Sequence, residues 1–69
     1  MSAKERLADN IRKAYYGCGK STRQIERESG LGRTTVIRWI NGVYTPNAIS
    51  LKIFCDVTRT SITEIYKGV

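Results

Sequence analysis

Residues 21–42 read STRQIERESGLGRTTVIRWING, in which two short helical patterns are separated by a glycine-rich turn. Ser21 stands three residues before Gln24, which is the spacing of a capping box, so a helix is predicted to start at Ser21 and to stop at Gly30. The turn that follows contains a glycine suited to a left-handed conformation, and Leu31 can fill the space between two helices. This half of the stretch therefore predicts a short helix that ends in a tight turn.

A second helix is predicted from Arg33 to Asn41, directly after the turn. Val36 and Ile40, with Trp39, share a side that can point inward, so the other side chains lie wholly or partly outward. Two short helices joined by a turn of three or four residues have the geometry that presents the second helix to a DNA groove. The whole stretch therefore predicts a helix-turn-helix motif.

A helical pattern also precedes the motif. Ser2 and Glu5 form another capping-box pattern, and apolar residues then recur at three- and four-residue intervals until glycines end the run. These apolar residues are Leu7, Ile11, Ala14 and Tyr15. The pattern predicts a first helix with one buried side.

Two more helices are predicted after the motif. A turn at Pro46 leads into a fourth helix, and Ser61 opens a short fifth helix that runs to Tyr66. The buried stripe of the fourth helix is predicted to be Leu51, Phe54 and Cys55, with Ala48 or Ile49 at its start. Because no segment alternates as a strand does and no linker interrupts the chain, residues 1–69 are predicted to form one all-α domain of five helices.

The charge of the chain is unevenly distributed. The net charge is +6, and the segment from Arg12 to Arg38 holds seven basic and two acidic residues, which is +5 of that total. A basic region concentrated in one stretch is typical of a surface that binds a polyanion. On charge alone, a solvated basic surface remains the alternative.

Composition argues against several classes of protein and site. Apolar runs of only two or three residues favour a cytosolic chain with no membrane partner, and two cysteines without histidine provide too few ligands for zinc. Cys18 and Cys55 are expected to be reduced thiols, and Cys55 to be buried. The run from Ala14 through Gly19-Lys20-Ser21 resembles a nucleotide P-loop but follows a helical pattern instead of a strand. No enzyme activity, small-molecule substrate, metal or other cofactor is therefore expected.

Residues 29–42 resemble the turn and recognition helix of the lambdoid phage repressor and Cro family. The similarity extends along nearly the whole chain, because six further residues fall where this family has its loop proline, helix cap and core positions. These residues are Pro46, Leu51, Phe54, Cys55, Ser61 and Ile65. The resemblance implies a lambda-repressor-like DNA-binding domain, which is a compact arrangement of five helices.

Two positions in the second helix depart from the family pattern. Glu26 stands where the family usually has alanine, and Ser29 stands where it usually has a small or apolar residue. Glu26 can be accommodated by an ion pair with Arg23 or Arg38, or by a slightly wider angle between the helices. The packing of the second helix is thus left open.

The resemblance implies that the first residues of the third helix contact base edges. The candidate residues are Arg33, Thr34, Thr35 and Arg38. Arginine can bond bidentately to guanine, and threonine offers a hydroxyl and a methyl group to thymine. For Arg33 and Arg38 the alternative is a surface role or an ion pair with Glu26 or Glu28. Ile37 either packs in the core or contacts a thymine methyl, and the core is favoured.

Phosphate contacts are expected around the start of the second helix and just after the third. The candidates are Lys20, Ser21, Thr22, Arg23, Asn41 and Tyr44. Hydroxyl groups and free backbone N–H groups at a helix N-terminus suit an anion. The alternatives are a helix-capping role for Asn41 and, for Tyr44, an aromatic ring that covers the core.

Together these features predict a transcription regulator, most simply a phage or prokaryotic repressor. The resemblance implies a homodimer on a palindromic double-stranded operator, with the two third helices in successive major grooves. Ile62, Ile65, Tyr66 and Val69 are candidates for the dimer contact. The alternative is a protein-interaction module on the same fold, such as an antitoxin or an antirepressor-like partner, which would favour exposed aromatics on the third helix.

Overall fold

Five α-helices and no strand make up the fold in a computed structural model that describes all residues, Met1–Val69. The helices are α1 (Ala3–Gly17), α2 (Thr22–Ser29), α3 (Arg33–Ile40), α4 (Ala48–Thr58) and α5 (Ile62–Ile65). None of them has the length and apolar character needed to cross a bilayer. The predicted all-α class and the order of the five helices are confirmed.

Serine and asparagine residues begin four of the helices. Ser2 forms a reciprocal capping box with Glu5, because each side chain bonds the other residue's backbone N–H. Ser21 also caps its helix, but the Gln24 side chain donates to Glu28 instead of returning to Ser21. The box at Ser21 is therefore only half formed. The same holds at Ser61, whose hydroxyl caps the Glu64 N–H while the Glu64 carboxylate accepts from that hydroxyl and not from the Ser61 backbone.

All five helices contribute side chains to one hydrophobic core. Phe54 of α4 is fully buried, and its ring lies 6.4 Å from Tyr15 of α1 in a stacked pair and 6.0 Å from Trp39 of α3 in an edge-on pair. The other buried members are Leu7, Ile11, Ile25, Val36, Leu51, Cys55 and Ile65. α1 packs against α3 and α5, and α2 packs against α4. The α2–turn–α3 motif is therefore held by α1 on one side and by α4 on the other.

The turn between α2 and α3 follows the sequence prediction. Gly30 has φ 72°, a left-handed conformation that glycine adopts without a Cβ clash, and its N–H donates to the Glu26 carbonyl. Leu31 packs partly buried against the core. The hydroxyl oxygen of Ser29 accepts a hydrogen bond from the Leu31 N–H at 3.0 Å. The departure at Ser29 thus provides a partner for a backbone donor inside the turn.

Two predictions about buried apolar residues were wrong. Ala48 and Ile49 are exposed, because Ala48 is the first residue of α4 and Ile49 lies almost opposite Leu51 around that helix. Ile65 is fully buried in the core, so it is not available for a contact with a second protomer. Ile62, Tyr66 and Val69 remain about half exposed.

Candidate nucleic-acid interface

The outward side of α3 carries all four predicted base-contacting residues. Val36 and Trp39 are buried on the inner side of this helix, and Ile37 and Ile40 pack partly buried beside them. The helical period then turns the remaining residues to solvent. Exposed here are Arg33, Thr34, Thr35 and Arg38. The favoured assignment of Ile37 to the core is therefore supported by its packing.

The start of α3 lacks a side-chain cap. Its N-cap residue is Gly32, and no side chain bonds the first backbone N–H groups of the helix, whereas Ser21 bonds the Gln24 N–H at the start of α2. The first N–H groups of a helix have no partner within the helix and carry its positive dipole end. The exposed start of α3 thus keeps hydrogen-bond donors for a partner outside the protein.

Thr22 and Arg33, the first residues of α2 and α3, both lie near the phenol of Tyr15 in α1. Burial of Tyr15 raises the pKa of its phenol, and the neighbouring Tyr16 adds to that rise. Thr22 and Arg33 oppose the rise because the hydroxyl of one and the charge of the other lie close to the phenol oxygen. A buried tyrosine therefore lies near one predicted phosphate contact and one predicted base contact.

Tyr16 is a residue that the sequence patterns did not single out. It is 64% exposed, and its ring meets the edge of the Tyr15 ring with the centroids 5.0 Å apart. The sequence did contain a feature that predicts an exposed tyrosine here. Two tyrosines are adjacent at the end of a helical pattern, and only one of them can face the core.

At the other end of α3, Arg38 lies beside an aromatic ring. Its guanidinium carbon is 5.5 Å from the centroid of Tyr44, which is within the range of a cation–π interaction. No carboxylate lies within ion-pair distance of Arg38, so the alternative of a pair with Glu26 or Glu28 was wrong. Tyr44 is 57% exposed and lies outside the core cluster.

Of the two accommodations suggested for Glu26, the ion pair does not form. Its side chain is exposed, and it forms no ion pair with Arg23 or Arg38. An exposed carboxylate keeps its hydration and costs little without a partner. The exposure of this side chain therefore removes the need for an ion pair at this position.

Lys20 is tied to the protein itself. Its ammonium group donates to Glu28 at 2.7 Å and to the Val57 carbonyl at 2.8 Å, and its side chain is 21% exposed. Hydrogen bonds from Lys20 and then from Gln24 hold the pKa of Glu28 below its usual value. This group of contacts joins the loop before α2 to the end of α2 and to α4. Its phosphate contact remains a prediction that has to compete with these bonds.

The remaining predicted phosphate contacts lie at accessible positions. Ser21 and Arg23 are exposed at the start of α2, and Thr22 is partly buried between them. Asn41 is exposed and ends α3, with its backbone N–H bonded to the Ile37 carbonyl, so its capping position leaves the side chain accessible.

Unpaired positive charge dominates the surface of α2 and α3. Four exposed arginines have no ion-pair partner, and one exposed carboxylate without a partner, Glu26, reduces their +4 to +3. The arginines are Arg23, Arg27, Arg33 and Arg38. Such a surface attracts a polyanion at long range.

The cysteines and acidic residues form no reactive cluster. Both cysteines are free thiols, and burial raises the pKa of Cys55, which disfavours the nucleophilic thiolate. Cys18 is partly buried, and its thiol points to the Tyr15 carbonyl at 3.7 Å. No group of three histidine, cysteine or acidic side chains is arranged to bind a metal ion.

Comparison with known proteins assigns the family. No curated protein and no solved structure gives a significant match to the chain. A family model described as helix-turn-helix matches residues 10–65, from the middle of α1 to the end of α5. Since this match covers well over half of the sequence and contains the whole α2–turn–α3 unit, the chain belongs to the helix-turn-helix family of DNA-binding domains.

Proposed function

We propose that this protein is a sequence-specific transcription regulator that binds double-stranded DNA and acts as a repressor of the phage repressor and Cro type. The observation that carries the proposal is the outward side of α3, which carries two arginines without ion-pair partners, two threonines and an uncapped helix start. Exposed donors without an internal partner are the groups that bond base edges and phosphates.

Base recognition is assigned to the N-terminal half of α3. Arg33 can bond O6 and N7 of one guanine, and each such bidentate pair discriminates by about 1–3 kcal/mol. Thr34 and Thr35 offer hydroxyls to base edges and methyl groups to thymine. Arg38 follows one turn later on the same side of the helix, so it would read the groove further along.

Backbone contacts are assigned to the start of α2 and the end of α3. Ser21, Thr22 and Arg23 combine hydroxyls, a cation and the positive end of the α2 dipole, which suits one phosphate group. Asn41 would contact the backbone beyond the other end of the recognition helix. These contacts would set the angle at which α3 enters the major groove.

The size of the protomer supports the proposal of a dimer on DNA. The molecule measures 31 × 22 × 20 Å and has one recognition helix. Successive major grooves on one face of DNA lie about 34 Å apart, so two grooves need two copies. Two-fold symmetry then requires a palindromic operator. Bound across a promoter, such a dimer would repress by occupying the DNA.

The test is selection of bound duplexes from a random library at about 0.15 M salt, where non-specific affinity has fallen. We expect a two-fold symmetric site with half-sites about one helical turn apart. Enrichment of a single half-site would contradict the dimer. Absence of any enrichment would contradict sequence-specific recognition and favour a protein partner for the same surface.

A further inference from the structure

The loop after α3 folds back onto the last turn of that helix. Gly42 has φ 71°, which lets the chain reverse, and the N–H groups of Val43 and Tyr44 both donate to the Arg38 carbonyl, at 2.9 and 3.4 Å. Arg38 therefore contacts Tyr44 through its side chain and also accepts the loop's hydrogen bonds at its backbone carbonyl. Two backbone bonds bring the backbone of Tyr44 next to that of Arg38.

The ring is the one group in the structure with a specific contact to the Arg38 side chain. No carboxylate pairs with Arg38, and its guanidinium carbon is 5.5 Å from the Tyr44 centroid. Tyr44 in turn lies outside the core cluster and is more than half exposed. A planar guanidinium stacks well on an aromatic face, and this leaves its N–H edge free to donate.

We propose that Tyr44 is a positioning residue for Arg38, in which the ring and not the hydroxyl holds the guanidinium on the outward side of α3. This inference rests on the proposed function and refines it, because Tyr44 then acts on base discrimination through Arg38. A long side chain loses rotamer freedom when it binds, and a stack that restricts it beforehand lowers that loss. Tyr44 thereby sharpens the preference at the base pair that Arg38 contacts.

One arm of the test needs no DNA. NMR spectra of the side-chain Nε–Hε group of Arg38 are compared in the unchanged protein, Tyr44→Phe and Tyr44→Ala. We expect a ring-current shift in the first two that is lost in Tyr44→Ala. Because Tyr44 is exposed, thermal unfolding should show that all three proteins fold. An Arg38 resonance at the same position in Tyr44→Ala would overturn the inference.

The second arm measures affinity for the selected operator and for duplexes with single base-pair replacements. Arg38→Ala first identifies the base pair that depends on Arg38. We expect Tyr44→Ala to lower discrimination there by about two- to five-fold, the size of an exposed cation–π contact, and Tyr44→Phe to leave it unchanged. In the Arg38→Ala background, Tyr44→Ala should add no further loss of discrimination.

The outcomes separate this inference from the proposed function. An equal loss on every duplex in both Tyr44→Phe and Tyr44→Ala, with discrimination at the Arg38 base pair unchanged, would identify the hydroxyl as a phosphate contact and overturn the positioning role. Failure of the unchanged protein to discriminate between duplexes would overturn the proposed function. The NMR arm, recorded without DNA, would still decide whether Tyr44 holds Arg38.

Discussion

The two helices of the motif have eight residues each and are held in different ways. α2 buries a single side chain, Ile25, and depends in addition on polar contacts: its start is capped by Ser21, and its end is joined to Lys20 through Glu28. α3 buries Val36 and Trp39 and has neither a side-chain cap nor an ion pair.

This difference suggests that α2 supports the fold, whereas the exposed side of α3 is available for recognition of DNA. The Gln24, Glu28 and Ser29 side chains of α2 are bonded inside the protein, so changes to them should alter folding. The polar groups of α3 are exposed and have no carboxylate partner, so changes to them should alter binding. Apolar packing makes this possible, because it holds α3 in place without using its hydrogen-bond donors.

The largest effect is expected for the packing of α3. Trp39→Ala removes a 4% exposed ring that meets Phe54 edge-on and should lower the free energy of unfolding by about 3–5 kcal/mol. That is a large share of the stability of a small domain, so urea or thermal unfolding will detect it. Trp39→Phe, the matched control, should lower the free energy of unfolding by less than Trp39→Ala does. Unchanged stability in Trp39→Ala would refute packing as the support of α3.

The next effect concerns the outward side of the same helix. Arg33→Ala should weaken binding to the selected operator by about 1–3 kcal/mol and relax base preference at one position, with the melting temperature unchanged. Arg27→Ala, an exposed and unpaired arginine of α2, removes the same charge and should weaken all duplexes alike. Equal loss of base preference in both variants would refute the assignment of Arg33.

A smaller effect is expected for Lys20. Lys20→Ala removes the bond to the Val57 carbonyl and should lower the free energy of unfolding by about 1 kcal/mol, without changing the salt dependence of DNA binding. Lys52→Ala, which removes an exposed ion pair with Asp56, should cost less. Unchanged stability, with a salt slope lower by about one, would show instead that Lys20 contacts a phosphate.

The smallest effect is a pH dependence at Glu28. Because Lys20 and Gln24 lower its pKa in the folded state, its carboxylate stabilises the fold above the unfolded pKa of about 4.3. This contribution disappears as the pH falls through the folded pKa. Unfolding measured from pH 7 to 3 should therefore depend less on pH in Glu28→Gln. The control is Glu64→Gln. An identical pH profile in Glu28→Gln and the unchanged protein would contradict the ion pair.

The helices and most of the core were predictable from local patterns. Serine caps, glycine stops and three- and four-residue apolar spacings are properties of a short segment, and they led to five helices whose bounds agree with the structure within about one or two residues. The prediction failed at the ends of the patterns. Ala48 and Ile49 are apolar but lie where no other helix covers them, which a local pattern cannot tell.

The sequence predicted how many basic residues the candidate site contains, but not which of them form bonds within the protein. The sequence located seven basic residues between Arg12 and Arg38 and had no means to distinguish Lys20 from Arg33. The partner of Lys20 in α4 is a backbone carbonyl 37 residues away, which leaves no trace in residue identity. The pairing of Arg38 with Tyr44 depends in the same way on the reversal of the chain at Gly42.

Sequence alone thus determined the helical class, the motif and the side of α3 that faces outward, because helical periodicity and capping act over distances of a few residues. Tertiary structure decided which cations remain free. Lys20 is bonded to Glu28 and to the Val57 carbonyl of α4, while Arg33 and Arg38 have no carboxylate partner. These contacts depend on the packing of α4 against α2 and on the reversal of the chain at Gly42, which residue identity alone does not fix.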